Sequence, residues 1–201
     1  MIVMILYVMR HGETDYNKAR KLQGKHDIPL NENGIELAKI TAAAIKDIPI
    51  DVIYSSPLTR AITTAEIIRE GRTADIIIDN RLEEMGFGVL EGVAKERIPE
   101  DFFNFFNAPE KYVPAEGGET FEAVIKRAQS FIDDVVIPNS AKYESMMIVA
   151  HGSMNNAIAL ILLHRELKDY WDGPFPKNCS ISSYEINGGN FELIDYAKKY
   201  Y

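Results

Sequence analysis

The sequence predicts an α/β fold, a three-layer αβα sandwich with a mostly parallel central sheet, helices on both faces and a C-terminal antiparallel hairpin. Three observations predict it. Continuous apolar runs such as Ile2-Val3-Met4-Ile5-Leu6-Tyr7-Val8-Met9 read as strands covered on both faces. Helix-period stripes fall between those runs, and strands that alternate with helices imply parallel neighbours. Late in the chain, residues 180–185 and 191–196 flank Asn187-Gly188-Gly189-Asn190, a hairpin signal.

The first strand covers residues 2–9. Asn31-Glu32-Asn33-Gly34 opens a helix with Leu37, Thr41, Ala44 and Ile48 on one stripe, and Pro49 stops it. Residues 51–55 read as the second strand. Ser56-Pro57 reads as the N-cap and first position of the next helix, with Leu58, Ala61, Ala65 and Ile68 on its apolar side. Residues 74–78 form a third short strand. Gly86, Gly88 and Gly92 predict an irregular loop over 81–92. Residues 99–107 hold a helical patch of four phenylalanines, and 108–118 is loop punctuated by Pro and Gly. Glu119-Thr120 starts a long helix with Phe121, Val124, Ala128, Phe131 and Val135 inward. Residues 146–150 form the fourth strand and 153–163 a helix. The expected organisation is one domain over 1–201, with a small lid or insert around 92–118.

A chain of 201 residues is long enough for one α/β domain with a substantial core. The formal net charge of -8 argues against nucleic acid or an anionic membrane as partner. The one cysteine, Cys179, has no intrachain partner and reads as a small buried hydrophobe. No Cys-x-x-Cys pair suggests a zinc site. Residues 1–9 are too short to span a bilayer and lack a basic n-region and a cleavage site, so the expected location is cytoplasmic. No repeat marks an interface, and the oligomeric state stays open.

One local pattern occurs twice. The first apolar run ends in Arg10-His11-Gly12-Glu13-Thr14, and the fourth strand ends in His151-Gly152-Ser153. In parallel sheets ligands bind beyond the carboxyl ends of strands, so both His-Gly pairs fall at one edge. Two imidazoles and an arginine converging there suit an oxyanion, most simply a phosphoryl group. A neutral imidazole is a competent nucleophile toward phosphorus, and Gly12 would let backbone approach a ligand. Arg60 lies in the first turn of a helix, where a cation opposes the helix dipole at ~0.3–1 kcal/mol; a bound anion would reverse that sign. Backbone N–H groups at the helix after His151 could hold further anionic oxygens. His26 and His164 read as structural or exposed. A leaving alkoxide needs a proton, and Glu13, Glu83, Glu84 and Glu91 all lie in loops near the glycines. Spacing does not choose among them.

The segment from Leu6 through Asn17 closely resembles the signature of the histidine phosphatase superfamily, the phosphoglycerate-mutase-like proteins. The resemblance continues through Leu22-Gln23-Gly24 and Pro29-Leu30-Asn31-Glu32-Asn33-Gly34. It continues again in Tyr54-Ser55-Ser56-Pro57-Leu58-Thr59-Arg60-Ala61, in Arg81-Leu82-Glu83-Glu84-Met85-Gly86 with Leu90-Glu91-Gly92, and in Val149-Ala150-His151-Gly152-Ser153. These blocks, in this order, cover most of the chain. The resemblance implies that His11 is the nucleophile of a phosphohistidine intermediate. It implies that Arg10, Arg60 and His151 clamp the phosphoryl oxygens, and that Glu84 rather than Glu83 is the acid. Asn17, Gln23, Gly152 and Ser153 are expected to bind phosphate or substrate. No cofactor and no metal are expected, since the arginines and His151 supply positive charge. The implied activity is hydrolysis of a small phosphorylated metabolite.

Two other functions remain in view. A cofactor-dependent phosphoglycerate mutase would carry a longer insertion after the acid block, with extra basic residues. Residues 92–118 are short and dominated by Phe102, Phe103, Phe105 and Phe106. A non-catalytic phospho-ligand binder would lack a catalytic residue, and none is missing. The phenylalanines either wall the substrate, favouring an apolar or ring-containing leaving group, or pack a small helix onto the body. Asn155 and Asn156 either line the pocket or serve the first turn of their helix.

Overall fold

A computed structural model describes residues 3–99 and 102–201. Its described elements are β1 (Met4–Arg10), α1 (Asp15–Lys18), α2 (Glu32–Ala44), β2 (Val52–Ser55), α3 (Thr59–Arg69), β3 (Asp75–Ile78), α4 (Phe103–Asn107), α5 (Phe121–Phe131), α6 (Ile137–Asn139), β4 (Ser145–Ala150), α7 (Gly152–Leu162), β5 (Ile181–Asn187) and β6 (Asn190–Lys198). The sheet runs β3-β2-β4-β1-β5-β6. β1, β2, β3 and β4 pair in parallel, while β5 and β6 run antiparallel. This is the predicted mostly parallel α/β sheet with its C-terminal hairpin. The part of the first expected strand at Ile2, and residues 100–101 of the expected helical patch, lie outside the described residues.

The apolar runs divide between two cores because alternate strand residues face opposite ways. Leu6, Val8, Tyr54, Met146 and Ile148 join the core under α5 and α7. Met9, Ile53, Met147 and Val149 join the core under α2 and α3. Helix α5 buries Phe121, Val124, Ala128 and Phe131, and a π-turn at Ile132–Val136 carries the same face on through Val135. The hairpin closes through Gly188 and Gly189, both at positive φ, as a two-residue turn requires.

Two expectations shift. The buried stripe of α2 is Gly34, Ala38 and Thr41, continued by Ile45; of the expected residues Thr41 is buried, Leu37 and Ile48 pack partly buried against the same core, and Ala44 is exposed. The helix rotates because Gly34 lies against the loop after β1. A Cβ there would sit 2.1 Å from the Glu13 carbonyl oxygen, and one on Gly12 would sit 2.6 Å from the Gly34 oxygen. Gly12 therefore serves the packing of α2 against this loop. The helix ends at Ala44, ahead of Pro49, where Arg72 donates to the carbonyls of Ile45 and Ile48.

The second shift is at α3, which starts at Thr59 with Leu58 as its N-cap, not at Ser56-Pro57. The cap comes from elsewhere in the chain. Asp27 Oδ1 accepts from the Thr59 N–H at 2.7 Å, and Oδ2 accepts from the Thr59 hydroxyl at 2.6 Å. Ser56 Oγ faces His151 instead.

The approach of Gly34 to Glu13 sets a test. Gly34→Ala is expected to lower stability by about 1–3 kcal/mol, the usual cost of overpacking, read as a lower urea midpoint. A wild-type midpoint would mean that the loop yields freely.

Candidate active site

β1 and β4 end side by side, with Arg10 opposite Ala150. The His11 N–H continues the pairing by donating to the Ala150 carbonyl at 3.0 Å. The chain after each strand therefore delivers its histidine to one place, and the two rings stand 5.1 Å apart at 56°.

The hydrogen bonds assign both tautomers. His11 Nδ1 lies 2.6 Å from the Gly12 carbonyl oxygen. A carbonyl only accepts, so Nδ1 carries the proton and Nε2 keeps its lone pair. Arg60 Nε–H donates to His151 Nδ1 at 3.2 Å. The His151 proton is then on Nε2, donated to Ser56 Oγ at 2.7 Å. Burial holds the His11 pKa well below its usual 6.5, with the charges of Arg60 and Arg10 adding to the effect. His151 is depressed in the same way, by burial first and then by Arg60. Both rings are neutral near pH 7.

Arg10 and Arg60 are held differently. Arg10 donates to the Pro176 carbonyl at 2.7 Å and lies 5.1 Å from the centre of the Phe175 ring. Its Nε is buried without a hydrogen-bond partner. Arg60 is fully buried and donates to the carbonyls of Gly24 and His26 at 2.7 and 2.8 Å as well as to His151. Burial brings its pKa down to about 10, so it remains charged. Carbonyl oxygens on the 24–26 loop and His151 Nδ1 thus offset the placing of Arg60 in the first turn of α3.

A pocket of about 170 Å³ opens beside these groups. It is lined by Arg10, His11, Asn17, Gln23, Glu84, Gly152 and Ser153, among others. Arg60 and His151 do not line it; they back it through Gly24 and His11. Asn17 Oδ1 accepts from the Thr14 N–H and from Asn178, and Gln23 Oε1 accepts from the Thr14 hydroxyl. Each amide therefore has its NH₂ as the group left for a ligand.

Of the four candidate acids, Glu84 alone lines this pocket. Its oxygens accept from the backbone N–H groups of Met85, Ser153 and Met154 at 2.9–3.2 Å. The start of α7 thus holds Glu84, and the Ser153 N–H expected to bind a ligand anion is already engaged. Glu83 pairs with Lys25 at 3.3 Å. Glu91 accepts from the N–H groups of Lys25, His26 and Phe87, and Glu13 accepts from the side-chain amides of Asn31 and Asn33. Ser153 Oγ is tied to Tyr170. Asn155 and Asn156 stay outside the pocket, and Asn156 Oδ1 accepts from Tyr196.

Several contributors escaped the sequence. Arg127, on α5, donates to the carbonyls of Arg81, Glu83 and Glu84 and so clamps the loop that carries Glu84. Glu119 accepts from the Gly86 N–H at 2.7 Å and pairs with Arg127. Trp171 and Phe175 line the pocket together with Phe87, Phe105 and Phe106. Arg127, Trp171 and Phe175 carry no local pattern; only distant packing reveals them.

A model of the histidine phosphatase superfamily (branch 1) matches residues 6–199, and the chain belongs to that superfamily. It is a phosphatase. Phosphoserine phosphatase 1 of Hydrogenobacter thermophilus is 31% identical over 90% of this chain and 84% of its own. A probable phosphoglycerate mutase, GpmB of Proteus mirabilis, is 33% identical over 73% of this chain and 69% of its own. A solved structure of a mutant phosphoserine phosphatase from Entamoeba histolytica, in complex with phosphoserine, superimposes with a TM-score of 0.83 at 28% identity, covering 96% of this chain and 95% of that one.

The histidine assignments predict a pH response. Below pH 6.5 the unfolded chain takes up protons on both rings while the folded protein resists, so stability falls as the pH drops through that value. ¹⁵N-detected spectra at pH 6 should show His11 neutral and protonated on Nδ1. A cationic His11 ring at that pH would contradict the assignment.

Proposed function

We propose that this protein is a metal-independent phosphomonoester hydrolase that works through a phosphohistidine on a small phosphorylated metabolite. The observation that carries this reading is the pairing of two groups in one pocket: a neutral His11 with its lone pair on Nε2, and Glu84, the one carboxyl group among the described residues that line it.

In the first step His11 Nε2 attacks phosphorus in line with the leaving oxygen. The N–P bond forms as the P–O bond breaks, and Glu84 gives its proton to the departing alkoxide. Arg10, with a buried donor left over, takes the equatorial oxygens together with the amides of Asn17 and Gln23. Arg60 and His151 contribute positive charge and N–H dipoles from behind His11. In the second step Glu84, now ionised, takes a proton from water. The resulting hydroxide attacks phosphorus, the N–P bond breaks, and His11 and Glu84 return to their starting states. A mutase would need cations for a second anionic group on its substrate. Among the described residues the wall beyond the phosphoryl end offers Lys21 as its one further cation, which favours hydrolysis.

Phosphate release from a panel of monoesters, with EDTA present throughout, tests the reading. His11→Ala should fall to background. Glu84→Gln should lose about 10²–10⁴-fold, more for alkyl than for aryl esters, because only poor leaving groups need the proton. Glu83→Gln should stay close to wild type, since its carboxylate pairs with Lys25 outside the pocket. Turnover by His11→Ala would remove the nucleophile assignment, and a large loss in Glu83→Gln with none in Glu84→Gln would move the acid by one residue.

A further inference from the structure

We infer that the leaving-group half of the pocket is built for an alcohol bearing an apolar ring, in preference to an amino acid or a small polar alcohol. This rests on the hydrolase reading and names its substrate class.

The aromatic wall is continuous from the phosphoryl end outward. Phe175 lies beside the Arg10 guanidinium and stacks on Trp171 at 5.8 Å and 30°. Trp171 in turn meets Phe105 and Phe106 at 5.0 and 5.1 Å. Packing of the α4 segment onto the body accounts for part of this cluster, since Phe102 and Phe105 are buried. It does not account for Phe106 and Phe175, which line the pocket yet remain 47% and 41% exposed. Large rings left half in water on the wall of a cleft gain stability when a ligand covers them.

The charges agree. Among the described residues lining the pocket, Glu84 is the sole carboxylate, and three backbone N–H groups already hold it. Among the described lining residues a substrate ammonium group finds two cations, Arg10 and Lys21, against the one carboxyl group of Glu84, whose oxygens are already engaged. An uncharged ring meets neither penalty.

Two readouts separate this inference from the hydrolase reading. The first is the affinity of benzylphosphonate against methylphosphonate, neither of which needs turnover. The second is kcat/KM for 2-phenylethyl phosphate, ethyl phosphate and O-phosphoserine, whose leaving groups are all primary alcohols. Wild type should favour the ring-bearing compound by roughly ten- to a hundredfold in both. Phe106→Ala and Phe175→Ala should each shrink that preference several-fold. Phe103→Ala, 66% exposed and outside this pocket, should leave it unchanged. Equal affinity for the two phosphonates, a preference for O-phosphoserine, or an equal effect of Phe103→Ala overturns the inference. A phosphonate preference without turnover of any ester supports the inference and overturns the hydrolase reading.

Discussion

The parallel pairing of β1 with β4, in the register that sets Arg10 opposite Ala150, is the constraint on which the site depends. Parallel strands end at the same edge, so the residues that follow them are thrown together without any turn between them. Shifting β4 by one residue would turn Met146 and Ile148 away from the α5–α7 core and carry His151 away from His11. The apolar alternation that holds this register is therefore also what holds the two imidazoles 5.1 Å apart.

The centre built at that edge is short of negative charge. Two arginines and two histidines converge there, Glu84 is the one carboxyl group among the described residues that line the pocket, and burial of the rings keeps them neutral. Burying Arg60 is tolerable because carbonyl oxygens and an imidazole nitrogen accept its N–H groups. Donors fixed this way hold Arg60 and His151 in one orientation behind His11. Glu84 fits the same logic from the other side: the α7 N-terminus receives it, and Arg127 grips the loop beneath it through three carbonyls.

Much of the fold was legible because buried strands and amphipathic helices have different periods. The long helix at 121–131 was placed with its inward residues correct, since Phe121, Val124, Ala128 and Phe131 repeat at helical spacing. The start of α3 was not, because its cap is Asp27, a residue from another loop that no local pattern points to. The stripe of α2 was misplaced for a related reason. The close approach of Gly34 to Glu13 turns the helix so that Gly34 and Ala38 are buried, while Leu37 packs only partly buried against the same core.

By itself the sequence determined the order of strands and helices, the two His-Gly ends and, through resemblance, the roles expected of His11, Arg10, Arg60, His151 and Glu84. Those features are local, and local chemistry leaves local marks. Tertiary structure alone decided which glutamate lines the pocket with His11, which nitrogen of each imidazole carries its proton, and that Arg60 and His151 back the pocket instead of lining it. It also decided that Phe106, Trp171 and Phe175, from separate parts of the chain, share one wall. These are matters of direction and distance between segments far apart in sequence, set only when the two cores close.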